Sequence, residues 1–407
     1  MNSLAIAIAF PGQGSQYAGM GKSLYDTYEY GKKIFDSSSE ILGIDIKKMC
    51  FSDSEELFNT EFAQPAIFIL SYIQYHWYLE TVGIEPLFMS GHSLGELSAL
   101  GCAEAMSFED ALKIVHLRGS LMRKAEETDN GRMLAIFGML KDDIQEICLK
   151  VSTFESRVEI ANYNSHEQIV VSGNIEAIKE VERLLGAKGC KYYQLPVKSA
   201  FHSYLMEGAA SEFQKQLAAF SFKSPKIPVL SSTSLELYTK DNIKSTLCTQ
   251  IISPVKWTSV IEYFRSKGIK RVVELGPGVV LKKLNKKICD DITMYSYDDD
   301  LKEIENMAND DASAENYYKY LTRSLAIAVS TPNLNNDTDT YHENVVLPYR
   351  EIKDIVMALE KMPEKTTMDN VILANKMLHR MFDEKRTPSE ERLERFYQLY
   401  VETGIQI

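Results

Sequence analysis

The chain contains 407 residues, of which 45% are hydrophobic, and its formal net charge at pH 7 is −12. This length predicts about two or three domains with sizeable apolar cores, and the acidic balance argues against a nonspecific nucleic-acid-binding protein. The six cysteines are scattered without a close pair, which favours reduced thiols over a disulfide framework or a metal site.

The N-terminal segment is predicted to form a buried strand that is followed by helices. Residues 4–10 are a short apolar run ended by Pro11 and Gly12, and helical spacing then continues to about Val82. The run is too short for a signal peptide or a membrane span, and the apolar-rich segment 66–84 carries polar residues that indicate a buried helix. We therefore expect a cytoplasmic protein without a membrane partner.

A second predicted strand, over residues 87–90, leads into the pentapeptide Gly91-His92-Ser93-Leu94-Gly95, and a helix is predicted after it. A strand, a sharp turn and a helix around Gly-x-Ser-x-Gly hold a serine hydroxyl exposed at the end of a sheet. The backbone N–H of Leu94 then points to the position where an oxyanion would form. Taken alone, the pentapeptide is compatible with an esterase, a lipase or a chance junction of a strand and a helix.

The middle of the chain changes its pattern after a predicted helix over residues 111–125. The predicted order is β-α-β-β-α-β within about seventy residues, which is the order of a ferredoxin-like unit. Its strands and helices are expected at residues 133–139, 141–152, 158–161, 168–172, 175–187 and 192–196. We assign residues 128–197 to this subdomain, and residues 1–127 and 198–288 to an α/β core into which it is inserted.

Residues 289–407 are predicted to be a linker and a helical C-terminal extension. Two polar loops, at 298–300 and 331–340, flank a short apolar piece at 326–329. Three amphipathic helices follow, with apolar stripes at Ile352, Ile355, Val356 and Leu359, at Val371, Leu378, Met381 and Phe382, and at Leu393, Phe396, Tyr397 and Tyr400. The last helix is expected to open with a capping box at Thr387-Pro388-Ser389-Glu390. We interpret the stripes as packing faces.

A serine nucleophile needs a neighbouring base, and histidine is the usual one. The geometry of the turn directs the side chain of His92 away from Ser93. His202 lies in Ser199-Ala200-Phe201-His202-Ser203, directly after the last strand of the inserted unit, where small neighbours suit a residue that faces a cleft. A loop histidine without a role is the alternative at this point, because separation in sequence does not report distance in space.

Six motifs along the chain resemble those of one family. They are Phe10-Pro11-Gly12-Gln13-Gly14-Ser15-Gln16, Gln64-Pro65-Ala66, Gly91-His92-Ser93-Leu94-Gly95-Glu96, Arg118-Gly119, Ala200-Phe201-His202-Ser203 and Gly276-Pro277-Gly278. In this order they resemble the malonyl-CoA:acyl-carrier-protein transacylases of fatty-acid and polyketide synthesis, over about residues 4–288. The resemblance implies an α/β fold, in which an α/β-hydrolase-like core with a mostly parallel sheet contains an inserted ferredoxin-like subdomain.

The resemblance also implies a role for each matching residue. Ser93 would attack the thioester of malonyl-CoA, and His202 would accept and return the proton. A backbone carbonyl, which matches Gln250, would orient the imidazole. The oxyanion would lie between the backbone N–H groups of Gln13 and Leu94.

The substrate residues are assigned in the same way. Arg118 would bind the free carboxylate of the malonyl group, because a guanidinium matches a carboxylate with two parallel hydrogen bonds. Gln64 would line the site, Asn162 would shape the acyl pocket, and Phe201 would crowd out an α-methyl branch, a discrimination worth about 1–3 kcal/mol. Ser199 stands where many members have glycine, a mild departure from the pattern.

The predicted activity is transfer of a malonyl group to the phosphopantetheine thiol of an acyl carrier protein, without a metal or a bound organic cofactor. A hydrolase that clears acyl groups from carrier proteins is the alternative, and Arg118 argues against it because that enzyme would not need a carboxylate-binding arginine. A non-catalytic scaffold is a third hypothesis, disfavoured by the intact set Ser93, His202 and Gln13. The C-terminal extension is found in some discrete transacylases that serve polyketide synthases, by analogy only. It could dock a carrier protein, a synthase or another copy of the same chain, or it could cover the core as a lid.

Overall fold

A computed structural model describes residues 5–127, 130–307, 314–335 and 339–405, so the predicted boundary at residue 128 lies outside the described residues. The strands are β1 (Ile6–Phe10), β2 (Phe88–Gly91), β3 (Gly131–Phe137), β4 (Val158–Ser165), β5 (Gln168–Asn174), β6 (Lys191–Gln194), β7 (Val229–Leu230), β8 (Arg271–Glu274) and β9 (Thr293–Ser296).

The α-helices are α1 (Lys22–Thr27), α2 (Glu29–Leu42), α3 (Ile46–Phe51), α4 (Thr60–Thr81), α5 (Gly95–Cys102), α6 (Phe108–Glu126), α7 (Lys141–Val151), α8 (Ile175–Ala187), α9 (Glu207–Leu217), α10 (Ile243–Ile251), α11 (Trp257–Ser266), α12 (Val280–Asn285), α13 (Leu301–Glu305), α14 (Ala314–Ser330), α15 (Leu347–Leu359), α16 (Met368–Glu384) and α17 (Ser389–Thr403). Within the described ranges, no helix is both long enough and apolar enough to cross a membrane.

One compact unit comprises Ala7–Tyr78 and Phe88–Leu301 and contains a five-stranded sheet of order β7-β2-β1-β8-β9. The pairs β1–β2, β2–β7 and β8–β9 are parallel, and β1, β2 and β7 are buried along their whole length, as expected for the centre of a sheet covered on both faces. The ladder between β1 and β2 ends at Phe10 and Gly91. The loops that follow these two strands therefore leave the sheet at the same edge, which confirms the predicted parallel core and brings two motifs together.

The same unit contains a four-stranded antiparallel sheet of order β4-β5-β3-β6. Its chain order β3-α7-β4-β5-α8-β6 is the predicted ferredoxin-like order. Apolar residues of α7 and α8, such as Ile144 and Val181, pack with Leu134 and Val171 of the sheet. The last strand ends at Gln194 instead of Pro196, because proline has no N–H to continue the ladder.

The second compact unit comprises Met1–Ile6, Leu79–Leu87 and Lys302–Ile407. Its helices share an apolar core that includes Tyr320, Leu321, Ile352, Val371, Leu378, Phe382 and Leu399. The three predicted amphipathic helices correspond to α15, α16 and α17. The C-terminal residues share this unit with a segment from the first quarter of the chain, and the domain limits assigned from the sequence stay predictions.

Two local predictions in this unit were wrong. The apolar piece at 326–329 is the end of the longer helix α14, whose earlier core residues Tyr320 and Leu321 the prediction left out. The expected capping box at Thr387 does not form, because α17 begins one residue later than the motif requires and Pro388 occupies the N-cap position. A capping box is instead present at the start of α16, where Thr367 and Asn370 exchange hydrogen bonds.

Candidate active site

Ser93 lies in the sharp turn between β2 and α5, at the sheet edge where β1 also ends. Its φ of +53° is in the left-handed region, which a serine adopts only when the surrounding structure holds it there. A Cβ on Gly91 would overlap the backbone of Gly95, and a Cβ on Gly95 would overlap the carbonyl of Phe10. Glycine is therefore required at both positions, so that the turn can close on itself and lie against β1.

His202 contacts the hydroxyl of Ser93 although it lies 109 residues farther along the chain. It is 4% exposed and also has a left-handed backbone, with φ of +58°. Its Nε2 lies 2.8 Å from Ser93 Oγ, and its Nδ1 lies 2.9 Å from the carbonyl oxygen of Gln250 and 3.1 Å from that of Ser253. Carbonyl oxygens only accept, so Nδ1 carries the proton and Nε2 is free to accept one from the serine hydroxyl.

The imidazole is held in its neutral form. Burial, and next the positive charge of Arg118, lower the pKa of His202 to about 3, against the opposing hydrogen bond to Gln250. A lowered pKa means that the ring is an unprotonated base at neutral pH. The arrangement can therefore remove a proton from Ser93 without a carboxylate partner on the histidine.

Arg118 extends from α6 to the same hydroxyl and is 1% exposed. Its guanidinium donates to Gln64 Oε1 at 2.8 Å, to Ser93 Oγ at 2.9 Å and to Gln250 Oε1 at 3.1 Å. Burial lowers the pKa of Arg118 to about 10, while the charge of Glu96 acts in the opposite direction. The guanidinium is therefore a protonated, anion-binding group beside the nucleophile at neutral pH.

Two backbone N–H groups lie next to this cluster. Gln13 follows β1 in the loop that packs against the elbow, where a Cβ on Gly12 would lie 2.5 Å from the carbonyl oxygen of His92. Leu94 is the N-cap residue of α5. Among the described residues, neither N–H donates to a protein acceptor. Free N–H groups at a helix start and a neighbouring loop are suited to bind an oxyanion.

Three other residues named in the sequence analysis make no hydrogen bond to the Ser93 hydroxyl among the described residues. Phe201 is buried directly before His202. Asn162 is a buried residue of β4 that pairs with Val255 through the backbone and, within the described ranges, has no side-chain hydrogen bond to Ser93. His92 bonds Asn164 at 2.8 Å, which agrees with the expectation that it turns away from the serine.

The sequence analysis included Glu96 in the elbow motif but assigned no role to its carboxylate, which is buried in the first turn of α5. It accepts hydrogen bonds from the backbone N–H of Ser232 at 2.9 Å and from the hydroxyls of Ser232 and Tyr238. Burial raises the pKa of Glu96, and the hydrogen bonds from Ser232, Tyr238 and Gln250 oppose that rise. A carboxylate inside an otherwise apolar helix turn was the one sequence signal that could have identified it.

Sequence reasoning also missed Ser253, whose carbonyl is the second acceptor for His202, and the side chain of Gln250, which donates to the carbonyl of Ser93 at 3.0 Å. In the described part of the chain, no group of three or more His, Cys, Asp or Glu side chains has the arrangement of a metal site.

Comparison with known proteins identifies relatives over the whole chain. Residues 8–307 match the family described as acyl transferase domain. A malonyl CoA-acyl carrier protein transacylase of Bacillus subtilis is 33% identical over 97% of this chain and 99% of its own length. This match includes the C-terminal helical region.

Two solved structures match the acyl transferase part. The crystal structure of FabD from Acinetobacter baumannii has a TM-score of 0.71 and 35% identity, covering 75% of this chain and 98% of that one. A malonyl-transacylase solved in complex with a type II PKS acyl-carrier protein has a TM-score of 0.72 and 32% identity. The match covers 75% of this chain and 99% of that one. The chain belongs to the malonyl-CoA:acyl-carrier-protein transacylase family, within the acyl transferase domain proteins.

Proposed function

We propose that this protein transfers a malonyl group from malonyl-CoA to the pantetheine thiol of an acyl carrier protein, through an ester on Ser93. The observation that carries the proposal is the position of Ser93 Oγ, which lies 2.8 Å from a neutral imidazole nitrogen and 2.9 Å from a buried guanidinium. The first contact supplies a base for the nucleophile, and the second supplies a partner for a carboxylated acyl group.

In the first half-reaction, Ser93 Oγ attacks the thioester carbonyl while its proton moves to Nε2 of His202. The carbonyl oxygen becomes an oxyanion that the N–H groups of Gln13 and Leu94 bind. The intermediate collapses by breaking the carbon–sulfur bond, and the protonated imidazole gives its proton to the leaving thiolate of coenzyme A. The product is the malonyl ester of Ser93.

In the second half-reaction, the pantetheine thiol of the carrier protein loses its proton to His202 Nε2 and attacks the ester carbonyl. The same two N–H groups bind the oxyanion. Collapse breaks the ester bond, and His202 returns the proton to Ser93 Oγ. The carbonyls of Gln250 and Ser253 hold the ring in one tautomer through both halves, because each accepts only from Nδ1–H.

Arg118 supports malonyl as the acyl group. In malonyl-CoA a single methylene separates the carboxylate from the reacting carbonyl, so the carboxylate must be bound very close to the attacking oxygen. Arg118 already donates to that oxygen. A hydrolase acting on uncharged acyl groups would not need a buried cation that donates to the attacking oxygen. Phe201 remains our candidate for excluding an α-methyl branch.

The acceptor that we propose is a carrier protein of polyketide or fatty-acid synthesis, with a cytoplasmic location. The relatives support this choice, because their names include a malonyl CoA-acyl carrier protein transacylase of polyketide biosynthesis, and one transacylase was solved with its type II PKS acyl-carrier protein.

Incubation of the full chain with malonyl-CoA labelled in the malonyl group tests the function. We expect stable label on the protein, discharged as malonyl-carrier protein when a phosphopantetheinylated carrier is added. The matched control is the same carrier protein without its pantetheine arm, which should leave the label on the enzyme. Label that appears only as free malonate would instead support the hydrolase, and an unlabelled protein would support the scaffold.

The state of His202 leads to a prediction about pH. Because the lowered pKa keeps the imidazole unprotonated, the base is lost only in strong acid, and we expect the rate of Ser93 acylation to stay constant from about pH 8 to about pH 5. An imidazole with the ordinary pKa of about 6.5 would lose about thirtyfold in rate at pH 5. Quenched-flow acylation at saturating malonyl-CoA measures this, with circular dichroism at each pH to check folding. A rate that falls with a midpoint near 6.5 would contradict the assignment.

A further inference from the structure

A continuous chain of hydrogen bonds leads away from Arg118 to the end of its own helix. Arg118 donates to Gln64 Oε1 at 2.8 Å, and Gln64 Nε2 faces Gln13 Oε1 at 3.5 Å. Gln13 Nε2 donates to Thr60 Oγ1 at 2.9 Å, and Thr60 donates to Glu126 Oε1 at 2.8 Å. None of the six sequence motifs contains Thr60 or Glu126.

The two ends of this chain determine the direction of every bond in it. A guanidinium can only donate, and a carboxylate can only accept. Thr60 gives its single proton to Glu126, so it presents a lone pair to the amide nitrogen of Gln13. The amide oxygen of Gln13 must then face Gln64, and the amide oxygen of Gln64 must face Arg118. Each glutamine is thereby held in one of its two amide orientations.

The packing of two helices brings Thr60 and Glu126 together. Thr60 is the first residue of α4, and Glu126 is the last residue of α6. A Cβ on Gly119 would lie 2.9 Å from the carbonyl oxygen of Thr60 and 3.0 Å from that of Glu61. Glycine at this position of α6 therefore lets the start of α4 approach closely. Both Thr60 and Glu126 are buried, at 2% and 8% exposure, so water competes little for their bonds.

We infer that Thr60 and Glu126 are positioning residues of the acyl-transfer site, which hold the side chain of Gln13 so that its backbone N–H faces the oxyanion. This inference rests on the proposed function, which makes that N–H an oxyanion donor. Gln13 lies in a loop, and Thr60 is its contact with the rigid start of a helix. Without the hydroxyl of Thr60, the loop loses the bond that anchors it on the side away from Ser93.

The test compares four single variants in the full chain. Thr60→Val removes the hydroxyl while keeping the shape of the side chain. Thr60→Ser keeps the hydroxyl and removes only the methyl group. Glu126→Gln replaces the acceptor-only end of the chain with a group that can also donate. Arg123→Gln is the matched control, because Arg123 pairs with the other oxygen of Glu126 at 2.9 Å but makes no bond to Thr60.

The first readout is single-turnover acylation of Ser93 by malonyl-CoA. Complete loss of an oxyanion donor costs about 100-fold to 1,000-fold, so a loosened donor in Thr60→Val should cost about tenfold. We expect Thr60→Ser and Arg123→Gln to stay within about twofold of the wild type. The half-saturating malonyl-CoA concentration should also change less than about twofold, because Arg118 keeps its bonds to Ser93 and Gln250.

The second readout is coupling between the two positions. If Thr60 and Glu126 act through one chain, the double variant should acylate no more slowly than Thr60→Val alone. If the rate loss of the double variant equals the product of the losses in the two single variants, the inference is overturned. It is also overturned if Thr60→Val melts at a lower temperature but acylates at the wild-type rate. If Thr60→Val does not fold, Glu126→Gln takes its place in the test. A folded Glu126→Gln protein that acylates at the wild-type rate would then overturn the inference.

A fluorophosphonate probe separates this inference from the proposed function. The probe phosphonylates a serine nucleophile and releases fluoride. Its phosphoryl (P=O) oxygen then occupies the oxyanion site, and no malonyl group is needed. We expect the same order of rates with the probe as with malonyl-CoA. A wild-type protein that reacts with the probe but not with malonyl-CoA would refute the proposed function alone, and the rates of the variants with the probe would then decide the inference.

Discussion

Ser93→Ala is expected to carry no malonyl label and to lose carrier-protein malonylation by about 10⁴-fold or more, since removal of a serine nucleophile has effects of this order. The hydroxyl oxygen is the atom on which His202 Nε2 and the Arg118 guanidinium converge. Alanine leaves the elbow backbone unchanged, so the variant removes the attacking atom and little else. Labelling with radioactive malonyl-CoA, followed by denaturing electrophoresis and peptide mapping, measures the effect.

Ser98→Ala is the control for this experiment. Ser98 lies in the same helix as the elbow, is completely buried, and has a hydroxyl without a hydrogen-bond partner among the described residues. We expect it to label like the wild type. Stable label on Ser93→Ala, mapped to any other residue, would remove Ser93 from the mechanism.

Arg118→Ala is expected to lose about 150-fold to about 5,000-fold in kcat/KM for malonyl-CoA, because removing one partner of a buried charge pair costs about 3–5 kcal/mol. The malonyl carboxylate would enter a buried site without its counter-charge. Acetyl-CoA carries no carboxylate, so its kcat/KM should hold or rise, and the ratio of the two substrates should reverse in favour of acetyl. Steady-state kinetics with both thioesters measures this ratio.

Arg118→Lys is the companion variant. Lysine keeps the positive charge, and with it the electrostatic partner of Glu96, but it lacks the planar fork that binds a carboxylate through two bonds. We expect an intermediate loss for malonyl-CoA and a melting temperature near that of the wild type. An unchanged malonyl-to-acetyl ratio in Arg118→Ala would show that another group recognises the substrate.

Much of the fold follows from local sequence patterns. The apolar runs before Pro11 and before Gly91 form β1 and β2, and the helix predicted at residues 175–187 has those limits in the structure as α8. These elements were accessible because their periodicity and their glycine or proline ends are properties of neighbouring residues. Helix α14 was missed because the prediction covered only its apolar end at 326–329, although Tyr320, Leu321 and Ile327 follow helical spacing and pack in one apolar core.

The sequence by itself determined the family and predicted both the elbow and Ser93 as its nucleophile, because glycine spacing and ordered motifs can be recognised without coordinates. Only the tertiary structure decided which groups contact the serine. Ser93 and His202 are 109 residues apart, and Arg118 and Gln250 are 132 apart, yet both pairs are hydrogen-bonded.

The roles that we assign to Glu96 and Thr60 could be recognised only from their buried partners. A polar side chain in the interior is recognised by the acceptors and donors around it, and packing brings those from distant segments. The local sequence pattern therefore predicts the position of the candidate nucleophile. The contacts between distant segments decide which groups surround it.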